Sequence, residues 1–247
     1  MNKIEFLEKN NKTYSFLVEG GSFEELNALR RIICYNLPIY AIDEVDFIEN
    51  DSVIVDEILA NRIGLCPVVT PANNSGKKVS FSLDVAGPKT VYTKELVSSD
   101  SEVKMVYDTI PLTKLKSGQN LKFEAFAILG KAKEHSKFLP SIISYRQLCE
   151  LDVLRGCDGC SACKDLCPKG IITINSSSGK PVVKDNKECD GCLRCVDACE
   201  KGCLKLNFTE NYILNIELVG QCSISDLIKL FSRYTEEYFK VLKKKFK

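Results

Sequence analysis

Tryptophan is absent from this 247-residue chain, and histidine occurs once, at His135. That leaves little material for histidine-based catalysis. An excess of one charge is also missing, since 34 Lys and Arg face 33 Asp and Glu for a formal net charge of +1. Bulk electrostatics therefore gives no sign of a chain that grips nucleic acid by itself. The opening stretch MNKIEFLEKNNKTYSF contains no apolar signal-peptide core, and no apolar run approaches the roughly 20 residues of a membrane span. A cytoplasmic protein with no membrane role is expected. Hydrophobic content of 45% and charged content of 27% are ordinary for a folded protein, and the length allows two or three modest domains.

Cysteine, by contrast, is plentiful, with 13 residues. Eight of them form two runs. Cys157, Cys160, Cys163 and Cys167 follow the spacing C-x2-C-x2-C-x3-C with Pro168 directly after, and Cys189, Cys192, Cys195 and Cys199 repeat it 32 residues later. The repeat extends to Asp158/Asp190, Gly159/Gly191, Lys169/Lys201 and Gly170/Gly202, so one explanation has to serve both halves. Three cysteines two residues apart can wrap one cubane cluster, because the turns between them also aim backbone N–H groups at its sulfides. The fourth thiolate then comes from farther away. Zinc also uses C-x2-C pairs, but it takes two pairs per ion and has no use for the third cysteine or the trailing C-x3-C-P. Disulfides fit poorly with eight cysteines in metal spacing in a chain of intracellular character.

The spacing resembles that of two-cluster ferredoxins, in which the last cysteine of each run ligates the other cluster. The resemblance implies one cluster on Cys157, Cys160, Cys163 and Cys199, and a second on Cys189, Cys192, Cys195 and Cys167. Two [4Fe-4S] clusters are the expected cofactors. A [3Fe-4S] cluster or an empty site at one of the two stays open. One departure is that Cys199 precedes Glu200 rather than proline. Ile171–Ile172 and Cys203–Leu204 fall just after the two runs, where packing against a cluster is expected. Cys203 stands where the first repeat has Ile171, so it reads as a packed apolar residue rather than a ligand. Cys34, Cys66, Cys149 and Cys222 read the same way.

Along the chain, Tyr14 to Val18 alternates as a strand does. Ser22 with Glu25 forms a capping box for a helix whose apolar stripe is Phe23, Leu26, Leu29 (or Arg30), Ile33 and Leu37, stopped by Pro38. Ile42 to Ile48 reads as a strand and Asp56 to Ile63 as a short helix ended by Gly64. From Val79 to Leu129 four strand-like segments follow (VSFSLDVAG, TVYTKELV, EVKMVY and LKFEAFAIL), separated by turn clusters. The linker Ser176–Lys180 reads as a flexible loop, and nothing around it has the strand–loop–helix order of a phosphate-binding loop. After the cysteines, Tyr212 to Val219 alternates as a half-buried strand. Ser223 or Ser225 then caps a last helix with the stripe Ile224, Leu227, Phe231, Tyr234, Tyr238 and Leu242. Lys240, Lys243, Lys244, Lys245 and Lys247 crowd its carboxyl end, where cations suit the helix dipole.

Four stretches outside the cysteine runs resemble one family. ELNALRRIICYNLPIYAIDEV (Glu25 to Val45), EILANRIGLCPV (Glu57 to Val68), KEHSKFLPS (Lys133 to Ser141) and the closing strand and helix from Tyr212 are similar, in matching order, to the α-like assembly subunits of RNA polymerase. The cysteine module lies between the third and fourth stretches, as in the archaeal D-type members with an inserted ferredoxin-like domain. The resemblance implies an α+β fold in three parts. These are a discontinuous α-like dimerisation domain of residues 1–43 plus 207–247, a β-rich insert domain of residues 44–149, and a ferredoxin-like domain of residues 150–206. It implies as partners a small α-like subunit (subunit L in archaea) as heterodimer, and the second-largest subunit with other core subunits. Phe231, Tyr234 and Tyr238 become candidate contacts for the small partner. Arg30 and Arg31 become candidate contacts for the large one, where a planar guanidinium can pair with carboxylates. No direct DNA role is expected.

The function implied is a non-catalytic assembly platform of DNA-dependent RNA polymerase, with structural iron–sulfur clusters. Two-metal nucleotidyl transfer needs clustered carboxylates, and no Asp-x-Asp-x-Asp pattern occurs in the chain. The alternative is an electron-transfer ferredoxin or an oxidoreductase subunit. The cysteine module alone would favour it, but no flavin- or nicotinamide-binding signature accompanies the module.

Overall fold

The computed structural model describes residues 3–246. A hairpin of β1 (Lys3–Asn10) and β2 (Thr13–Glu19) leads into helix α1 (Phe23–Tyr35), strand β3 (Ile39–Asn50) and helix α2 (Asp56–Gly64). Next come β4 (Val79–Ala86), β5 (Lys89–Tyr92), β6 (Val97–Ser98), β7 (Pro111–Leu115), β8 (Asn120–Gly130) and the long β9 (Ser141–Val153). The cysteine stretch holds two one-turn helices, α3 (Ala162–Asp165) and α4 (Arg194–Asp197), with a small hairpin of β10 (Ile172–Ile174) and β11 (Pro181–Val183) between them. β12 (Leu204–Leu218) and α5 (Ile224–Lys245) follow. The class is mixed α+β, as expected. Among the described residues no helix is long and apolar enough to cross a membrane. Lys247, counted above with the terminal lysines, lies outside the described residues.

The chain divides into two units, one formed by the chain up to Asn27 with Ile143–Ile216, the other by Ala28–Ile142 with the chain from Glu217 onward. In the first, a four-stranded sheet runs in the order β1-β2-β12-β9. The amino-terminal hairpin thus shares a sheet with the strands on either side of the cysteines. Leu17, Leu148 and Ile213 form its buried cluster. Ser15 Oγ donates to Asn215 Oδ1 at 2.8 Å, and Gln147 Nε2 to the Thr209 carbonyl at 2.7 Å. The expected strand at Tyr14 to Val18 is β2, and Tyr212, Leu214, Ile216 and Leu218 of β12 are buried. β1 was not expected. Nearly all its side chains are exposed on both faces, so it has no period-2 burial signal to read.

Helix α1 has the capping box its sequence suggests: Glu25 N–H donates to Ser22 Oγ at 3.2 Å, and Ser22 N–H to Glu25 Oε2 at 3.2 Å. Leu26, Ile33 and Leu37 are buried, whereas Phe23 is 59% exposed. Phe23 therefore leaves the expected stripe and sets its ring edge-on to Tyr145 at 5.5 Å.

The second unit is built on an antiparallel sheet in the order β3-β8-β4-β6, with β5 and β7 as a separate pair. Phe47 pairs with Phe123 and Phe81 with Ala125 across it. Tyr40, Phe81, Leu83, Leu112, Leu115, Leu121 and Phe123 fill the core, and α2 adds Leu59 and Ile63. Each such side chain contributes roughly 1.5–3 kcal/mol on burial. Two expected strands are different here. TVYTKELV is broken by a single 3-10 turn at Thr93–Glu95. EVKMVY is irregular apart from one bridge between Val68 and Met105. Its alternation is real, since Val103 and Met105 are buried. The backbone, however, bonds to a loop, through Val69 N–H to the Lys104 carbonyl and Val106 N–H to the Pro67 carbonyl. Ser223 caps α5 by accepting from Asp226 N–H at 3.1 Å, and Leu227 and Leu230 are buried beneath it. The lone His135 is an exposed turn cap whose Nδ1 accepts from Lys137 N–H at 3.1 Å.

Candidate metal centres

The two cysteine runs fold as copies. In each, an aspartate one position after the first cysteine turns the loop: Asp158 Oδ1 accepts from Cys160 N–H at 3.3 Å, and Asp190 Oδ1 from Cys192 N–H at 3.3 Å. This is how a short carboxylate side chain shapes a turn. Gly159 (φ 76°) and Gly191 (φ 71°) follow in the left-handed region. A Cβ on Gly159 would stand 2.7 Å from the Gly179 carbonyl oxygen, so the position needs glycine twice over. Ser161 (φ 63°) and Leu193 (φ 62°) are also left-handed, at matching places before the one-turn helices. Such backbone costs on the order of 1–3 kcal/mol per residue and survives where the surroundings over-determine it. Here the same strain appears at the same point in each copy of a duplicated loop. α3 then presents Cys163 and α4 presents Cys195, and Cys167 and Cys199 follow past the helix ends.

These loops enclose two cavities. The first, of 200 Å³, is lined by Cys157, Cys160, Cys163 and Cys199, with Cys203 beside them. The second, of 20 Å³, is lined by Cys167, Cys189, Cys192 and Cys195. Each cavity thus takes three cysteines from one run and the last cysteine of the other. Apolar groups complete the walls, Ile174 and Leu204 in the first, Leu151, Ile171 and Ile172 in the second. The thiols ring a space instead of meeting at a point. Among the described residues no group of three or more His, Cys, Asp or Glu is close enough to hold one metal ion. Four cysteines ringing each space are the donor set of an iron–sulfur cluster, whose iron charge they would offset as thiolates. That donor set suits iron–sulfur chemistry better than a lone zinc ion, which draws its ligands to about 2.3 Å.

Burial raises the Cys163 and Cys195 thiols above the usual range. Cys199 and Cys203 lie 3.2 Å apart, sulfur to sulfur. Their hydrogen bond holds Cys199 low and, with burial, pushes Cys203 up to about 11. Lys201 and Asp158 tie the second repeat to the first at 2.9 Å; both are well exposed, so the pair orients more than it stabilises.

Sequence reasoning missed a clamp. The Arg146 guanidinium, on β9, donates to the carbonyls of Lys187 and Cys189, holding the entry to the second run. Cys149 lies under the same loop, its thiol pushed up to about 12 by burial and then by Cys189. No local pattern announces either, because both act across some forty residues. Cys34, Cys66, Cys149 and Cys222 are buried, as expected. Of the candidate partner contacts, Arg31 and Tyr238 are exposed, and Arg30, Phe231 and Tyr234 are half-buried. Tyr234 and Tyr238 stack along α5 at 6.4 Å.

Comparison with known proteins agrees with this division of labour. Residues 41–144 match the RNA polymerase Rpb3/RpoA insert domain, and residues 151–200 match the 4Fe-4S dicluster domain. The molecule is thus of the class that joins an α-like insert domain to a dicluster module. DNA-directed RNA polymerase subunit Rpo3 of Pyrococcus horikoshii is 31% identical over 241 residues, covering 94% of this chain and 93% of that protein. The Rpo3 of Archaeoglobus fulgidus is 34% identical, covering 93% and 92%, and that of Methanobrevibacter smithii 36%, covering 74% and 72%. The chain belongs to the Rpo3 family of DNA-directed RNA polymerase subunits.

Proposed function

We propose that the chain, an RNA polymerase assembly subunit by its family, is a non-catalytic platform that pairs with a small α-like subunit and docks the large ones. The observation that carries this reading is the carboxyl half of α5. Tyr238, Phe239 and Val241 are 52%, 60% and 52% exposed, and Phe246, just past the helix end, is 87% exposed. An apolar helix face of that kind gains by being covered in a heterodimer. Phe231 and Tyr234 extend the same face. Arg30 and Arg31 on α1 are assigned to the second-largest subunit.

The domain reading is a discontinuous dimerisation domain (1–43 with 207–247), an insert domain (44–149) and a cluster domain (150–206). The sheet that joins β1 and β2 to β12, with β9 as its fourth strand, supports the discontinuity of the first part, and the family matches at 41–144 and 151–200 support the other two. Cys157, Cys160, Cys163 and Cys199 would hold one cluster, and Cys167, Cys189, Cys192 and Cys195 the other. Two [4Fe-4S] clusters are the reading favoured here. When bound, they supply strong iron–thiolate bonds in a module whose apolar core is small, so their role is structural. The protein residues do the rest: the Asp158 and Asp190 turns aim the thiols, Arg146 fixes the second loop, and Ile171, Ile172 and Leu204 pack against the cysteines.

Co-expression with a small α-like polymerase subunit tests the reading. A 1:1 heterodimer is expected by light scattering, weakened at least tenfold by Phe239→Glu with Tyr238→Glu. Recovery only with a flavin- or nicotinamide-dependent redox partner would contradict it and favour the electron-transfer alternative.

A further inference from the structure

The two cavities differ by one cysteine. Cys203 lines the first together with Cys157, Cys160, Cys163 and Cys199. Its counterpart in the first repeat, Ile171, lines the second cavity and offers no sulfur. Cys203 is 4% exposed, so its sulfur is committed to the interior. Two backbone bonds fix where that sulfur stands. Gly202 N–H donates to the Cys199 carbonyl at 2.8 Å, closing a tight turn, and the Cys203 carbonyl accepts from Leu154 N–H at 2.7 Å. Cys199 and Cys203 are consequently held with their sulfurs 3.2 Å apart on the same cavity wall. A group already ordered beside a ligand can replace it without the entropy cost of recruiting a distant one.

We propose that Cys203 is a reserve ligand for the first cavity, able to take the iron position that Cys199 holds. The proposal rests on the crossed ligand sets described above. In the exchange, Cys203 would bind as the thiolate and Cys199 would leave as the thiol, the proton of the one passing to the other across the 3.2 Å between their sulfurs. No electron moves and the charge of the site is unchanged. The second cavity has no such substitute for Cys167, so the two sites differ in tolerance to losing their crossed ligand.

The test is iron and acid-labile sulfide content, with electron paramagnetic resonance, on anaerobically prepared full-length variants. Cys199→Ala and Cys203→Ala should each keep the iron content of the parent protein. The double variant should lose the first cluster, about half of the iron if both sites are filled. Cys167→Ala should lose the second cluster. If Cys199→Ala loses as much iron as Cys157→Ala, or if the double variant keeps its first cluster, the reserve role is overturned. If Cys167→Ala loses the first cluster instead of the second, it is the crossed ligand reading that fails. Should Cys199→Ala not fold, the rate of iron loss to a chelator decides. Cys203→Ala should lose the first cluster several-fold faster than the parent, and equal rates would overturn the proposal.

Discussion

The insert and the cysteine module bury their residues in opposite ways. In the unit that contains the insert, Tyr40, Phe81, Phe123 and a set of Leu, Ile and Val side chains fill the space beside a four-stranded sheet. In the module, the buried cluster is Cys163, Ile171, Ile172 and Leu204, and the side chains packed on it include Cys167, Cys189, Cys195 and Cys199. The module wraps its residues around a 200 Å³ space and carries left-handed backbone at Ser161 and Leu193. A core that small, with strain added, does not stabilise a domain without a staple. On the proposed reading, the difference teaches that one polypeptide would use apolar packing for one part and metal–thiolate bonds for another. The loss of either support should be felt locally.

Phe123→Ala offers the largest way to break that comparison. It empties a fully buried ring position opposite Phe47 and should cost about 3–5 kcal/mol in the insert. Denaturant unfolding should show that loss while the iron content of the module is unchanged. A parallel fall in iron would show that the two supports are not independent.

Arg146→Ala sharpens the comparison from the other side. It removes two charge-assisted bonds to the second loop, a loss of about 2 kcal/mol. Chelator should then strip iron from the second site faster, with the first site and the insert unaffected. Equal acceleration at both sites would mean that the clamp serves the whole module.

A smaller effect is expected from alkaline pH, and in the insert-containing unit two buried thiols contribute to it. Burial pushes Cys66 up to about 11 and Cys222 up to about 12, from an ordinary value of 9.0. Above pH 9 the unfolded chain releases these protons while the folded one keeps them, so stability falls as pH rises from there toward the folded values. Melting temperature should fall less steeply with pH above pH 9 in Cys66→Ala with Cys222→Ala than in the parent. An unchanged slope would show that these thiols do not set it.

Much of this contrast is legible in the sequence, for identifiable reasons. The C-x2-C-x2-C-x3-C repeat is a local pattern, and the turns at Asp158 and Asp190 are local too, so the loops can be read residue by residue. Ser22 with Glu25, and Ser223 before α5, announce their helices because capping is decided within three residues. What stays hidden is long-range. β1 pairs with β2 without burying a face. Val103 and Met105 alternate like a strand but pack from an irregular loop. Arg146 and Cys149 reach the second site from a strand some forty residues away. Cys203 aligns with an isoleucine and looks apolar until the fold sets its sulfur beside Cys199.

The central claim is that the module, unlike the insert, is held together by its clusters. Amide hydrogen exchange on the full chain before and after anaerobic removal of iron tests it most directly. The account predicts that protection collapses across residues 151–206 and persists across the strands Val79–Ala86 and Asn120–Gly130. Retained protection through the cysteine loops of the iron-free protein would contradict it.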